Sequence, residues 1–214
     1  FCLRIFPLFH NLQHQGKVPE GLPAQLITDT GCPGLSLLPA STALATLERR
    51  MIGVEGMGLI VSRALAQLWD DFDYVILDNT PSLGVLMVNA LAAAQYLVIP
   101  VQTEFLAIKG LERMLHTLQM IMRSQKNELP YMIVPTLYDR RTQASVKSLN
   151  LLRKTYQDTL WRFAVPVDTK FRDASQAGVI PSQLDAETHG VRAYDHLLDD
   201  LLKRTGSVKE RQHG

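Results

Sequence analysis

Short apolar runs alternate along this chain with longer segments whose apolar residues recur every three or four positions. Tyr74–Leu77, Tyr96–Pro100, Tyr131–Leu137 and Trp161–Val165 read as strands. Leu83–Ala94, Glu104–Ser124, Gln143–Thr159 and Arg192–Lys203 carry helical spacing. Upstream, Gly34–Pro39 reads as a short strand closed by its proline. Ser41-Thr42 then caps a helix through Arg50, and a second helix fits Met57–Trp69. Buried strands alternating with helices of this length predict an α/β fold, an open, mostly parallel sheet with helices on both faces. We expect one domain over residues 1–204 and a disordered tail at 205–214.

The first of these strands runs straight into Asp78. An acid at the carboxyl end of a buried parallel strand lies in the crevice where open α/β sheets bind ligands. In nucleotide hydrolases an acid so placed orients magnesium and its waters. Asp78 serves equally well as a turn former or helix cap. The second strand ends in Pro100-Val101-Gln102-Thr103-Glu104.

Composition narrows the compartment more than the chemistry. The formal charge is +1, so any basic surface is local. Two cysteines, Cys2 and Cys32, make neither a disulfide framework nor a metal pair, which predicts a reducing cytoplasm. His10 and His14 stand four apart with no third ligand nearby in sequence. The longest apolar region, Val85 to Val101, is broken by Asn89, Gln95 and Pro100 and falls short of the roughly 20 residues a membrane helix needs.

The block from Phe72 to Arg113 resembles the ParA/MinD family of deviant P-loop ATPases. Members read aspartate, a small residue and Pro-Pro-Ser-Leu at this strand end, where this chain has Asp78-Asn79-Thr80-Pro81-Ser82-Leu83, with Thr80 in place of one proline. The Val-Gln-Thr-Glu run is closer still to ParA and Soj. The resemblance implies ATP and magnesium as cofactors, with Asp78 on the magnesium side, through water. It implies a homodimer closed by ATP and a cargo adaptor, either a ParB-like protein or a polar-array partner. Cargo is then a partition complex or a polar assembly, handled in the cytoplasm, at the nucleoid or at a pole.

None of the 214 residues forms a G-x-x-x-x-G-K-[ST] loop, whose backbone N–H groups and lysine hold phosphates. By the resemblance that loop, and an Asp-x-Asp-Pro motif after it, precede Phe1. The catalytic lysines and water-orienting aspartate are expected there too. The strand that normally lies beside Tyr74–Leu77 would also be missing, which predicts an exposed apolar edge.

Two further runs resemble the family's base-binding loops. Tyr138-Asp139-Arg140-Arg141-Thr142 follows a strand whose end lies beside the adenine in relatives, so Tyr138 and Asp139 become base-pocket candidates. Asp139 also suits the cap of the helix beginning near Thr142. Pro166, Val167 and Asp168 fall where the family's second loop borders the base, although Val167-Asp168 replaces the usual Arg-Asn.

From Tyr138 to Arg172 there are eight Lys or Arg against three acids, a formal +5. ParA relatives hold DNA backbone with basic residues in this half, which makes Arg140, Arg141, Lys170 and Arg172 DNA candidates; a solvated helix face explains the same residues. Three other functions compete. One is a non-catalytic paralogue that only pairs with partners, which an in-frame glycine-rich loop in the upstream DNA would exclude. A MinD-like membrane regulator is disfavoured because Thr205–Gly214 has no apolar face. Amidotransferase-like biosynthetic relatives share the fold, but the Tyr-Asp-Arg-Arg-Thr and Val-Gln-Thr-Glu runs favour ParA.

Overall fold

The structure is a computed structural model that describes residues 17–40, 44, 48, 57–80, 84–125 and 128–212. The chain divides into two compact units, residues 1–94 and 95–214, where the sequence suggested one domain.

In the first unit, α1 (Leu22–Leu26) leads into a ribbon of β1 (Thr28–Asp29) and β2 (Ser36–Leu37), paired antiparallel. The Gly34–Pro39 strand is thus reduced to two residues at the surface. Leu35 and Leu37 are both half exposed. Of the helix expected from Ser41 to Arg50, only Leu44 and Glu48 are described, and both are helical. The Met57–Trp69 expectation resolves into a 3-10 turn (Met57–Leu59) and α2 (Ile60–Ala66), with turns beyond that leave Trp69 exposed.

α3 (Val85–Ala93) completes this unit. Its apolar sequence is interrupted by Asn89, fully buried. Asn89 Nδ2 donates to the carbonyls of Met57 (2.6 Å) and Val85 (2.8 Å), and its Oδ1 accepts from Val61 N–H (3.1 Å). The polar residue therefore pins α3 to the start of α2. Val18, Leu44, Met57, Ile60 and Ala64 form the core beside it.

The strand expected at Tyr74–Leu77 does not form: residues 74–80 belong to no ladder among the described residues. Ile76 is 93% exposed, and Tyr74 and Val75 are more than half exposed. An extended segment becomes a strand only when another backbone satisfies its N–H and C=O groups. Among the described residues, no backbone pairs with this segment in a ladder.

The second unit holds the parallel sheet. β3 (Leu97–Gln102) pairs in register with β4 (Tyr131–Thr136), joined by α4 (Phe105–Gln125). Strands alternate their side chains. Ile99 and Val101 of β3 therefore share a face with Ile133, while Met132 and Val134 point oppositely. α4 packs on β3 and on α5 (Gln143–Thr155), burying Ile108, Leu111, Leu115 and Leu118 at helical spacing. On the other face Met132 and Val134 pack with Trp161, Val165 and Leu197, the last from the closing helix. The α/β expectation, a parallel sheet with helices on both faces, is met here.

Trp161–Val165 runs beside β4 but is not one regular strand. Trp161 N–H donates to Ile133 O, and the next ladder bond runs from Val165 N–H to Pro135 O, both at 2.8 Å. Four residues on one side therefore oppose two on the other, a two-residue bulge at Arg162-Phe163. Pro135 also has no N–H to give at that point. Beyond it come α6 (Lys170–Ala177), for which the sequence carried no helix expectation, α7 (Pro181–Leu184) and α8 (His189–Gln212). α8 carries helical backbone past Lys203, through most of the segment expected to be a tail.

Candidate functional site

The carboxyl ends of β4 and of the segment beside it converge on residues the sequence had singled out. Tyr138 N–H donates to Val165 O, and Val167 N–H donates back to Tyr138 O, each at 3.0 Å, with Tyr138 and Pro166 bridged in parallel. Tyr138, Pro166 and Val167, distant in sequence, thus form one rim at the end of the sheet. Val167 is well exposed and Tyr138 half-buried.

The two acids beside that rim are occupied from within. Asp139 accepts from the Arg141 guanidinium (Nε 2.9 Å, Nη2 2.8 Å) and from Arg141 N–H (2.9 Å). These bonds, the side-chain pair foremost, hold its carboxyl down to about 2. A depressed acid adds stability that is complete above its unfolded value and is lost as pH falls through the folded one. We therefore expect the Asp139–Arg141 clamp to persist at pH 4 and to open only toward pH 2. Carboxyl-carbon NMR titration of Asp139 measures this; a midpoint near the ordinary aspartate value would show that the clamp does not form in solution.

Asp168 is a brace rather than a free ligand. Its Oδ2 accepts from Gly190 N–H (2.9 Å) at the start of α8, and its Oδ1 from Lys170 N–H (3.0 Å) at the start of α6. Burial pushes its carboxyl up, but the bonds from Gly190, Lys170 and the Thr188 hydroxyl, with the His189 charge, hold it below the ordinary range. A side chain at Gly190 would run into Phe171 and Asp168, so glycine is needed for this approach. Sequence reasoning missed this role because its partner lies 22 residues downstream.

In the first unit, Asp78 is exposed and carries no ion pair among the described residues. The Pro81-Ser82-Leu83 part of its motif lies outside the described residues. Glu48 reaches the start of the helix that follows, accepting from Leu86 N–H at 3.2 Å. An exposed carboxylate suits a magnesium-bound water, because it is neither buried nor consumed by a neighbour.

Of the DNA candidates, Arg141 is consumed by Asp139, and Lys170 lies 3.5 Å from Asp173. Arg140 and Arg172 are exposed and make no ion pair among the described residues. Lys170 and Arg172 are two apart on α6, so they do not share a helix face. Near the bulge, the Arg162 guanidinium stacks 4.6 Å over the exposed Phe163 ring, and Arg153 Nη2 donates to Arg162 O. His10 and His14 lie outside the described residues, and no cluster of metal-binding side chains occurs among those described. No helix among them is long and apolar enough to cross a membrane.

Known proteins agree with this architecture. Residues 11–131 match the AAA domain family. The chain is 29% identical over 182 residues to the chromosome-partitioning ATPase Soj of Treponema pallidum, covering 85% of this chain and 72% of that protein. It is 28% identical over 177 residues to the sporulation initiation inhibitor protein Soj of Bacillus subtilis, covering 82% and 70%. Among solved structures, a cobyrinic acid a,c-diamide synthase from Mycobacterium smegmatis, determined with an ATP analogue and magnesium, superposes with a TM-score of 0.74 at 30% identity, over 95% of this chain and 72% of that one. The parallel sheet and these likenesses agree: the chain belongs to the AAA domain family, and its sequence is ParA/Soj-like.

Proposed function

We propose that this protein is a ParA-like positioning switch, in which ATP closes a homodimer on DNA and hydrolysis releases it. The observation that carries the reading is the rim of Tyr138, Pro166 and Val167 at the carboxyl end of two parallel chain segments, where open α/β sheets take ligands. The base of ATP lies against that rim. Asp139 and Asp168 hold its two loops in shape, the first through Arg141 and the second through α8. Asp78 orients the waters of magnesium, which when bound neutralises charge on the phosphates. A cargo adaptor, ParB-like or from a polar array, reads the ATP-bound state in the cytoplasm, at the nucleoid or at a pole. The likeness to a cobyrinic acid a,c-diamide synthase supplies a second reading, a biosynthetic enzyme with no need of DNA.

DNA binding separates the two. The full-length protein with ATP is expected to bind duplexes of unrelated sequence equally, and more weakly with ADP. Affinity should fall steeply with salt, since each neutralised phosphate releases about 0.9 counterions. Replacing Lys170 and Arg172 together by alanine should flatten the log–log salt slope by up to about two units. Fluorescence anisotropy across a salt series measures both. ATP-independent or absent DNA binding would sink the partition reading, and an unchanged slope would return these two residues to the solvated surface.

A further inference from the structure

Leu137 is the one non-glycine residue with positive φ (+50°) among the described residues. Side chains with a Cβ are strained there, so such a conformation persists only where the surroundings impose it. The imposing groups are two buried hydroxyls. Thr103 and Ser145 are each 5% exposed, 42 residues apart in sequence, and their oxygens stand 2.6 Å apart. Thr103 Oγ1 also donates to Leu137 O (3.3 Å), and Ser145 Oγ accepts from Asp139 N–H (3.0 Å).

The direction of this chain follows from which groups can donate. A carbonyl only accepts, so Thr103 gives its single proton to Leu137. A backbone N–H only donates, so Asp139 uses a lone pair of Ser145. The bond between the hydroxyls must then run from Ser145 to Thr103. The order is Asp139 N–H to Ser145 O–H to Thr103 O–H to Leu137 C=O, a ring that closes around Tyr138. Both ends are anchored elsewhere. Thr103 N–H donates to Thr136 O at 3.0 Å, just beyond β3, while Ser145 N–H donates to the Thr142 cap of α5 at 3.4 Å.

We propose that Thr103 and Ser145 are positioning residues for nucleotide-base recognition: their hydroxyl pair holds Leu137 left-handed and so sets the Tyr138 backbone against Val165 and Val167. The proposal rests on the reading of Tyr138, Pro166 and Val167 as the base site. It makes the end of β3 a support of base selection, although neither hydroxyl touches the nucleotide. With either hydroxyl removed, the ring opens, Leu137 relaxes to a negative φ, and Tyr138 leaves the rim.

The test compares dissociation constants for ATP and for inorganic tripolyphosphate, which has no base, in the full-length protein and its variants. Wild type is expected to prefer ATP. Thr103→Val, nearly isosteric, and Ser145→Ala should each cut that preference about tenfold by weakening ATP alone. Thr103→Ser, which keeps the hydroxyl, should stay within about twofold of wild type. Folded variants that keep the preference, or that lose both ligands equally, would overturn the proposal. If Thr103→Val does not fold, Ser145→Ala decides alone. If neither folds while Thr103→Ser does, the pair serves the fold only and the proposal is again overturned. A wild type without preference would instead sink the base-site reading itself.

Discussion

Replacing Asp78 by alanine in the full-length protein is expected to lower magnesium-dependent ATP hydrolysis by about a hundredfold or more, the usual loss when one oriented electrostatic group is removed from a transition state. Phosphoryl transfer asks little covalent chemistry of the protein, so the placement of magnesium and its waters carries much of the rate. The fold should not suffer. Asp78 is exposed and unpaired among the described residues, and surface changes of that kind move stability by no more than about 0.5 kcal/mol. The rival role, a turn former or helix cap, is separated by Asp78→Asn. Asparagine caps as well as aspartate but carries no charge. Equal loss in both variants at saturating magnesium assigns the carboxylate to the metal side. Activity retained by asparagine, or by both, assigns Asp78 to the turn.

Trp161→Ala should be the most damaging single change to stability, at about 3–5 kcal/mol. The indole is 1% exposed and packs with Met132, Val134, Val165 and Leu197. It is also one of the places where α8 is fastened, through Trp161 Nε1 donating to Asp200 Oδ2 at 3.0 Å. Alanine removes the ring, leaves a cavity against β4 and releases that bond. Asp200→Asn keeps an acceptor oxygen and should cost far less. Urea denaturation followed by far-ultraviolet circular dichroism, since the alanine variant loses a fluorophore, reads both. A Trp161→Ala midpoint close to wild type would mean that α8 is held by contacts other than this one.

The helices of the second unit were largely legible. Glu104–Ser124 was expected and Phe105–Gln125 is observed, and the strand at Tyr131 ends one residue early, at Thr136. Periodicity of this kind is a property of consecutive residues and needs no knowledge of partners. α6 was missed because Val-Pro-Val-Asp-Thr reads as an extended exit and its helical residues are mostly polar; only Ala174 is buried on it. Of the candidate site, the sequence pointed to Tyr138, Pro166 and Val167. Nothing local shows that Thr103, in one run quoted for the resemblance, would meet Ser145, three residues beyond another.

By itself, then, the sequence determined the alternation of strands and helices, the α/β class, the family and the two loops that end the sheet, because each is written in residues close together along the chain. Tertiary structure alone decided the rest. It left Tyr74–Leu77 as exposed chain, because a strand exists only beside another backbone. It put a two-residue bulge at Arg162-Phe163, where Pro135 has no N–H to offer. It turned Asp168 from a candidate ligand into a brace for α8, and joined two hydroxyls 42 residues apart into a ring around Tyr138. Those outcomes depend on which distant groups complete each other's hydrogen bonds, and no local pattern records that.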